Sequence, residues 1–184
     1  MMYAALYGWL VQGPLVAACA ALLARPWAPR LTGRLALSAG ALTYVPLPEI
    51  GSLAAWLHGV LGVPSMTLLQ FALLVCLRRP LPPSPGPRTG CVLLALALTV
   101  LAAALGLGPI DPYGWGFQAR YLLLALLPVL FLLYRHGQGG WLMLLAVDLL
   151  AYTSGLYANL WDALYDPILV FILALHLVRR KPSA

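Results

Sequence analysis

From Met1 to Ala24 the chain carries no charged side chain. Its apolar run from Tyr3 to Leu23 is long enough, as a helix, to cross a hydrocarbon core of about 30 Å, which takes about 20 residues. Positive charge does not precede the run but follows it, at Arg25, Arg30 and Arg34. That order predicts a true membrane helix inserted with its N-terminus outward, rather than a cleaved signal peptide.

Six further apolar runs follow. They are Leu31 to Leu47, Leu53 to Leu77, Cys91 to about Leu107, about Gln118 to Tyr134, Trp141 to about Ala158, and a last one ending at Val178. The chain is 62% hydrophobic and 9% charged, with a mean hydropathy of +0.90. Soluble domains carry roughly 25% charged residues. A soluble chain of this composition would have too little polar surface to face water. The sequence therefore predicts an all-α, polytopic transmembrane helix bundle of about seven helices, six at the fewest. It forms a single membrane domain over residues 1–184. The stretch from Arg78 to Gly90 holds five prolines (Pro80, Pro82, Pro83, Pro85, Pro87) and reads as a non-helical hinge between helices 1–3 and helices 4–7.

Charge orients the bundle. With the N-terminus outside, the cytoplasmic side receives Arg25, Arg30, Arg34, Arg78, Arg79, Arg88, Arg135, Arg179, Arg180 and Lys181, and the outside receives Arg120 alone. Cytoplasmic loops of membrane proteins carry this excess. The C-terminus is then cytoplasmic. Ten Arg against one Lys, with abundant Ala, Leu, Pro and Gly, suits a GC-rich bacterial genome and a bacterial cytoplasmic (inner) membrane. The net charge of +6 is placed as an orientation signal and not as a nucleic-acid groove. The short arginine clusters also suit a cytoplasmic partner or anionic lipid.

Four of the five carboxylates, Glu49, Asp111, Asp162 and Asp166, fall outside; Asp148 alone lies within a segment. The stretch Asn159 to Pro167 is the foremost candidate site. From Pro167 to Arg179 there are 11 intervening residues, about 17 Å of helix, too short to cross. Two solutions are open. Asp166 caps a short helix with Pro167 at its first position. Alternatively, the helix begins near Asn159 and is kinked at Pro167. The second solution puts Asp162 and Asp166 on one face, with Trp161 and Tyr165 on the next, and such a pair calls for a proton, metal ion, cation or arginine between them. A solvated acidic loop with interfacial aromatics is the plainer alternative.

Asp148 aligns at helical spacing with Tyr152, Gly155 and then Asn159. It reads either as a relay or ligand in a wet cavity or as a hydrogen-bonding brace between helices. The loop holding Asp111, Tyr113, Trp115 and Arg120 offers an Asp111–Arg120 ion pair and an aromatic surface for a sugar or ammonium group, or else a simple interfacial anchor. Glu49 sits at the outer turn between the second and third segments. Pro64 interrupts the third; a simple kink is the first reading, freed carbonyls the second. Small residues at Gly13, Ala17 and Ala21, and at Ser38, Gly40 and Ala41, suit close approach of helices, within the chain or to a partner.

No metal spacing or catalytic motif is present, the histidines are too scattered for a haem, and no cofactor is expected. Cys19, Cys76 and Cys91 read as unpaired packing thiols. Three functions remain. The first is a non-catalytic accessory or assembly subunit of a larger membrane complex, whose partners are the lipid bilayer and another membrane protein or a second copy. The second is a transport component for a small polar or cationic solute. The third is an intramembrane enzyme acting on a lipid-linked substrate at the outer face.

Overall fold

The computed structural model describes residues 2–49, 51–107 and 111–179, with backbone alone at residues 2–5. It is all-α apart from one short ribbon, and it divides into two compact units, Met1–Leu81 and Pro82–Ala184.

In the first unit, α1 (Met2–Leu10) and α2 (Gln12–Ala24) follow one another through helical bonds at Val11, so that Leu6–Ala24 forms one apolar stretch. The Tyr44 hydroxyl ties this junction, donating to the Leu10 carbonyl and accepting from the Gly13 amide at 2.9 Å. α3 (Thr32–Leu42) returns against α2. A Cβ on Gly40 would stand 3.1 Å from both the Ala17 Cβ and the Gly13 carbonyl oxygen. The small-residue surface of α2 is therefore used inside the chain, where it lets two backbones approach closely. A two-stranded ribbon follows, β1 (Pro46–Leu47) against β2 (Gly51–Ser52).

The third apolar run contains a break and not a simple kink. α4 (Leu53–Leu61) stops at Gly62, whose φ of 71° is left-handed, and α5 (Met66–Cys76) restarts after Pro64. Ser65 caps α5 by accepting from the Leu68 amide at 3.1 Å. The Gly62 carbonyl, freed by the break, accepts from the buried Gln12 side chain at 3.3 Å.

In the second unit, α6 (Pro87–Ala104) starts with proline at its first position, where the missing amide costs nothing. The proline-rich stretch is thus helical from Pro87 onward, contrary to the expectation that it stays irregular to Gly90. α7 (Arg120–Arg135) and α8 (Gly139–Thr153) follow, then the short α9 (Leu160–Leu164) and α10 (Pro167–Arg179). Gly90 is buried, and a Cβ there would meet Leu177 of α10 at 2.8 Å.

Two stretches, Leu6–Ala24 and Pro87–Ala104, are long and apolar enough to cross a membrane. Met66–Cys76, Gly139–Thr153 and Pro167–Arg179 are apolar but shorter. The other five predicted runs fall short locally: α3 and α7 have 11 and 16 residues, Gly62 and Pro64 divide the third run, and Gly155 and Pro167 cut back the sixth and seventh. The surface is itself apolar. Leu37, Val60, Val92, Leu124 and Phe171 are each more than half exposed.

Candidate functional site

The polar residues of the second unit gather where the loop 111–117 meets the chain 157–166. Each side of this meeting is shaped by local chemistry. Asp111 accepts from the Gly114 amide at 2.9 Å, closing a side-chain turn that leads into a single 3-10 turn at Gly114–Gly116. On the other side, α8 ends in a left-handed Gly155 (φ 78°), with the Leu156 amide reaching back to the Ala151 carbonyl. The chain then extends to Asn159, which caps α9 by accepting from the Trp161 amide at 2.9 Å.

The two sides are fastened by side chains. The wholly buried Asn159 donates from Nδ2 to the Tyr113 carbonyl at 3.1 Å. Trp161, also buried, donates from its indole to the Pro112 carbonyl at 2.9 Å. The Tyr113 hydroxyl donates to Asp162, 2.9 Å from Oδ1 and 3.2 Å from Oδ2. The Tyr152 hydroxyl reaches the Phe117 carbonyl at 3.4 Å. Gly116 permits the close approach, since a Cβ there would overlap the Asn159 Oδ1.

Electrostatics follow from this burial. Asp162 is half-buried, and desolvation raises its pKa above the usual carboxylate value while the bond from Tyr113 pulls it back. Burial, and then the neighbouring Asp162 charge, push the Tyr113 hydroxyl up to about 12. Tyr165 is raised as well, first by burial and then by Asp162.

The remaining candidates behave differently. Asp162 and Asp166 do not share a helix face, because Tyr165 is extended (φ −153°, ψ 164°) and interrupts the helix between them. Asp166 caps α10 instead, its Oδ1 accepting from the Leu169 amide at 3.0 Å, with Pro167 at the first helical position. Of the two solutions open in the sequence, the capped short helix is the one formed. The stripe from Asp148 through Tyr152 to Asn159 is likewise interrupted, since α8 ends before Gly155. Asp148 itself is 1% exposed. Arg120 and Asp111 form no ion pair among the described residues; the Arg120 guanidinium lies over the Tyr121 ring, 4.9 Å from its centroid. Trp115 is exposed. Glu49 belongs to the first unit, exposed at the ribbon's turn with φ 67°. No group of three or more His, Cys, Asp or Glu among the described residues is placed to hold a metal ion.

Sequence reasoning named Tyr113 but missed its bond to Asp162, as it missed Gly116, Gln12 and Tyr44. The nearest sequence signal was the glycine pair at Gly114 and Gly116, which marks a close backbone approach. No family model, curated protein or solved structure matches this chain.

Proposed function

We propose that this chain is a polytopic protein of the bacterial cytoplasmic membrane, crossing it about seven times with its N-terminus outside. In this reading it serves as a non-catalytic accessory or assembly subunit of a larger membrane complex. The carrying observation is the fastening of the outer polar cluster. Asn159, Trp161, Tyr113 and Asp111 direct their hydrogen bonds to the protein's own backbone and to Asp162. Asp166 is engaged as the cap of α10, and the helix is interrupted between it and Asp162.

The exposed apolar side chains support a lipid or subunit environment. The broken third run is compatible with it too. In lipid, non-helical backbone is tolerated only where protein satisfies it. Ser65 is wholly buried, and Gln12 partners the Gly62 carbonyl at the break. In this reading α4 and α5 cross in tandem.

The test is the mass of the particle extracted in mild detergent. The subunit reading predicts a second, different chain at fixed stoichiometry, retained in an Asp148→Asn variant. A particle containing this chain alone contradicts it.

One observation favours a transport component as a second reading. Asp148 is almost fully buried within the apolar α8, and an ionisable side chain at membrane depth is costly unless it has work to do. Transport predicts that Asp148→Asn abolishes uptake of a small cationic solute while expression is unchanged. Unimpaired uptake by that variant removes this reading.

A further inference from the structure

The first unit contains a cavity of about 640 Å³ that none of the foregoing uses. It is open to solvent: the exposed Arg25, Arg78 and Arg79 line it, together with Thr32 and an apolar wall that includes Leu22 and Val75. We propose that this cavity binds a phosphate group. The proposal stands on the cavity alone; the membrane reading bears only on whether the phosphate is a lipid headgroup's or a soluble molecule's.

The three arginines converge because of how the helices end. Arg25 is the C-cap of α2, its amide bonding the Ala21 carbonyl. Arg78 and Arg79 follow α5, where the Arg78 amide bonds the Val75 carbonyl and the Arg79 amide the Leu74 carbonyl. Arg78 takes a left-handed φ of 54°, at a helix end usually given to glycine. Its guanidinium reaches the Pro29 carbonyl at 3.4 Å, which ties it to the turn before α3. Thr32, the first residue of α3, completes the wall, so the amide-rich start of that helix borders the cavity.

Charge then decides the ligand. No carboxylate lines the cavity, and the first unit has only Glu49, exposed at its ribbon turn. The C-terminal ends of α2 and α5 each contribute roughly half a negative charge and the start of α3 roughly half a positive one, beside three guanidiniums. That leaves an excess of roughly two to three positive charges, which calls for an anion such as phosphate. Guanidinium forks bind planar oxygen pairs bidentately. Three forks offer more donors than the two oxygens of a carboxylate accept, whereas a phosphate has four oxygens in all, three of them non-bridging in a monoester and two in a phosphodiester headgroup. The volume exceeds one phosphate, and the apolar wall suits the carbon skeleton attached to it.

The experiment uses the full chain in mild detergent. Calorimetric titration is made with short-chain phosphatidylglycerol, with short-chain phosphatidylcholine and with inorganic pyrophosphate. Phosphatidylglycerol or pyrophosphate is expected to bind at one site per chain. Arg25→Gln and Arg79→Gln should each weaken that binding about fivefold, Arg25→Lys and Arg79→Lys should keep most of it, and Arg135→Gln should leave it unchanged. Binding of phosphatidylglycerol without competition by pyrophosphate identifies a headgroup as the source; binding of pyrophosphate alone identifies a soluble phosphate. Should the Gln variants not fold, the wild-type salt dependence decides. Affinity that falls with salt supports the site, and salt-independent affinity overturns it. The proposal is overturned if neither anionic probe binds, if phosphatidylcholine binds equally well, or if the folded Gln variants bind like the wild type.

Discussion

The loop cluster around Asp162 and the arginine-lined cavity are both concentrations of polar groups in an apolar chain, yet their groups are used in opposite ways. In the cluster, donors and acceptors meet one another: indole to carbonyl, amide to carbonyl, phenol to carboxylate. In the cavity, three like charges line one space without a carboxylate among them. The first arrangement contributes to stability and leaves little for a ligand. The second contributes little to stability and presents positive charge to one. Residue type alone would have ranked them the other way, since carboxylates beside aromatics resemble a site more than loop arginines do.

The largest test of this contrast is Gly116→Val. Its side chain would overlap Asn159 Oδ1, so the fastening must open. A loss of about 3 kcal/mol is expected, as for an overpacked core, read as a lowered midpoint of unfolding in detergent. An unchanged midpoint would mean the cluster holds nothing together.

Tyr113→Phe comes next. It removes the donor to Asp162, and about 1.5–2 kcal/mol should be lost, the lower part of the range for a bond to a charged acceptor because the pair is only part-buried. The pH profile should change with it. Burial raises the Asp162 pKa, so the folded state holds that proton more tightly than the unfolded chain does. The associated stability is complete below the ordinary value of 3.8 and is lost as pH rises through the raised one. Without Tyr113 the loss should move to higher pH, and in Asp162→Asn it should vanish. At the alkaline end, wild-type stability should fall as pH climbs from the ordinary tyrosine value of 10.0 toward about 12, and Tyr113→Phe should show a smaller fall, the part due to Tyr165 remaining. Unfolding midpoints measured across pH check both limbs.

In the cavity the same kind of truncation should cost little. Arg25→Gln relieves repulsion between guanidiniums and should leave stability unchanged or raise it by about 0.5 kcal/mol. A clear loss on that substitution would erase the contrast. The smallest effect is predicted for Arg120→Gln, whose exposed guanidinium rests on the neighbouring Tyr121 ring; the midpoint should move by less than about 0.5 kcal/mol.

What was legible in the sequence follows the range of the interactions. The all-helical class was readable from composition. The cap at Asp166 with Pro167 was readable because it is completed within three residues. The interruption of the third run was readable at Pro64, but the left-handed turn at Gly62 was not, because an apolar run looks alike whether its backbone is helical or left-handed. The stripe from Asp148 to Asn159 failed for the same reason at Gly155. The bond between Tyr113 and Asp162 spans 49 residues of sequence, and nothing local to either residue announces it. The cavity joins Arg25 to Arg78 and Arg79 through the packing of α2 on α5, which charge counting did not supply.

The proposed topology puts the two regions on opposite faces of the membrane, and this is the claim most directly open to measurement. With Cys19, Cys76 and Cys91 replaced by alanine, single cysteines at the exposed Trp115 and Leu81 report the cluster and the cavity. A membrane-impermeant maleimide should label Trp115→Cys in intact cells, and Leu81→Cys only after the membrane is opened. Labelling of both from the same side, or recovery of the protein outside the membrane fraction, would contradict the account.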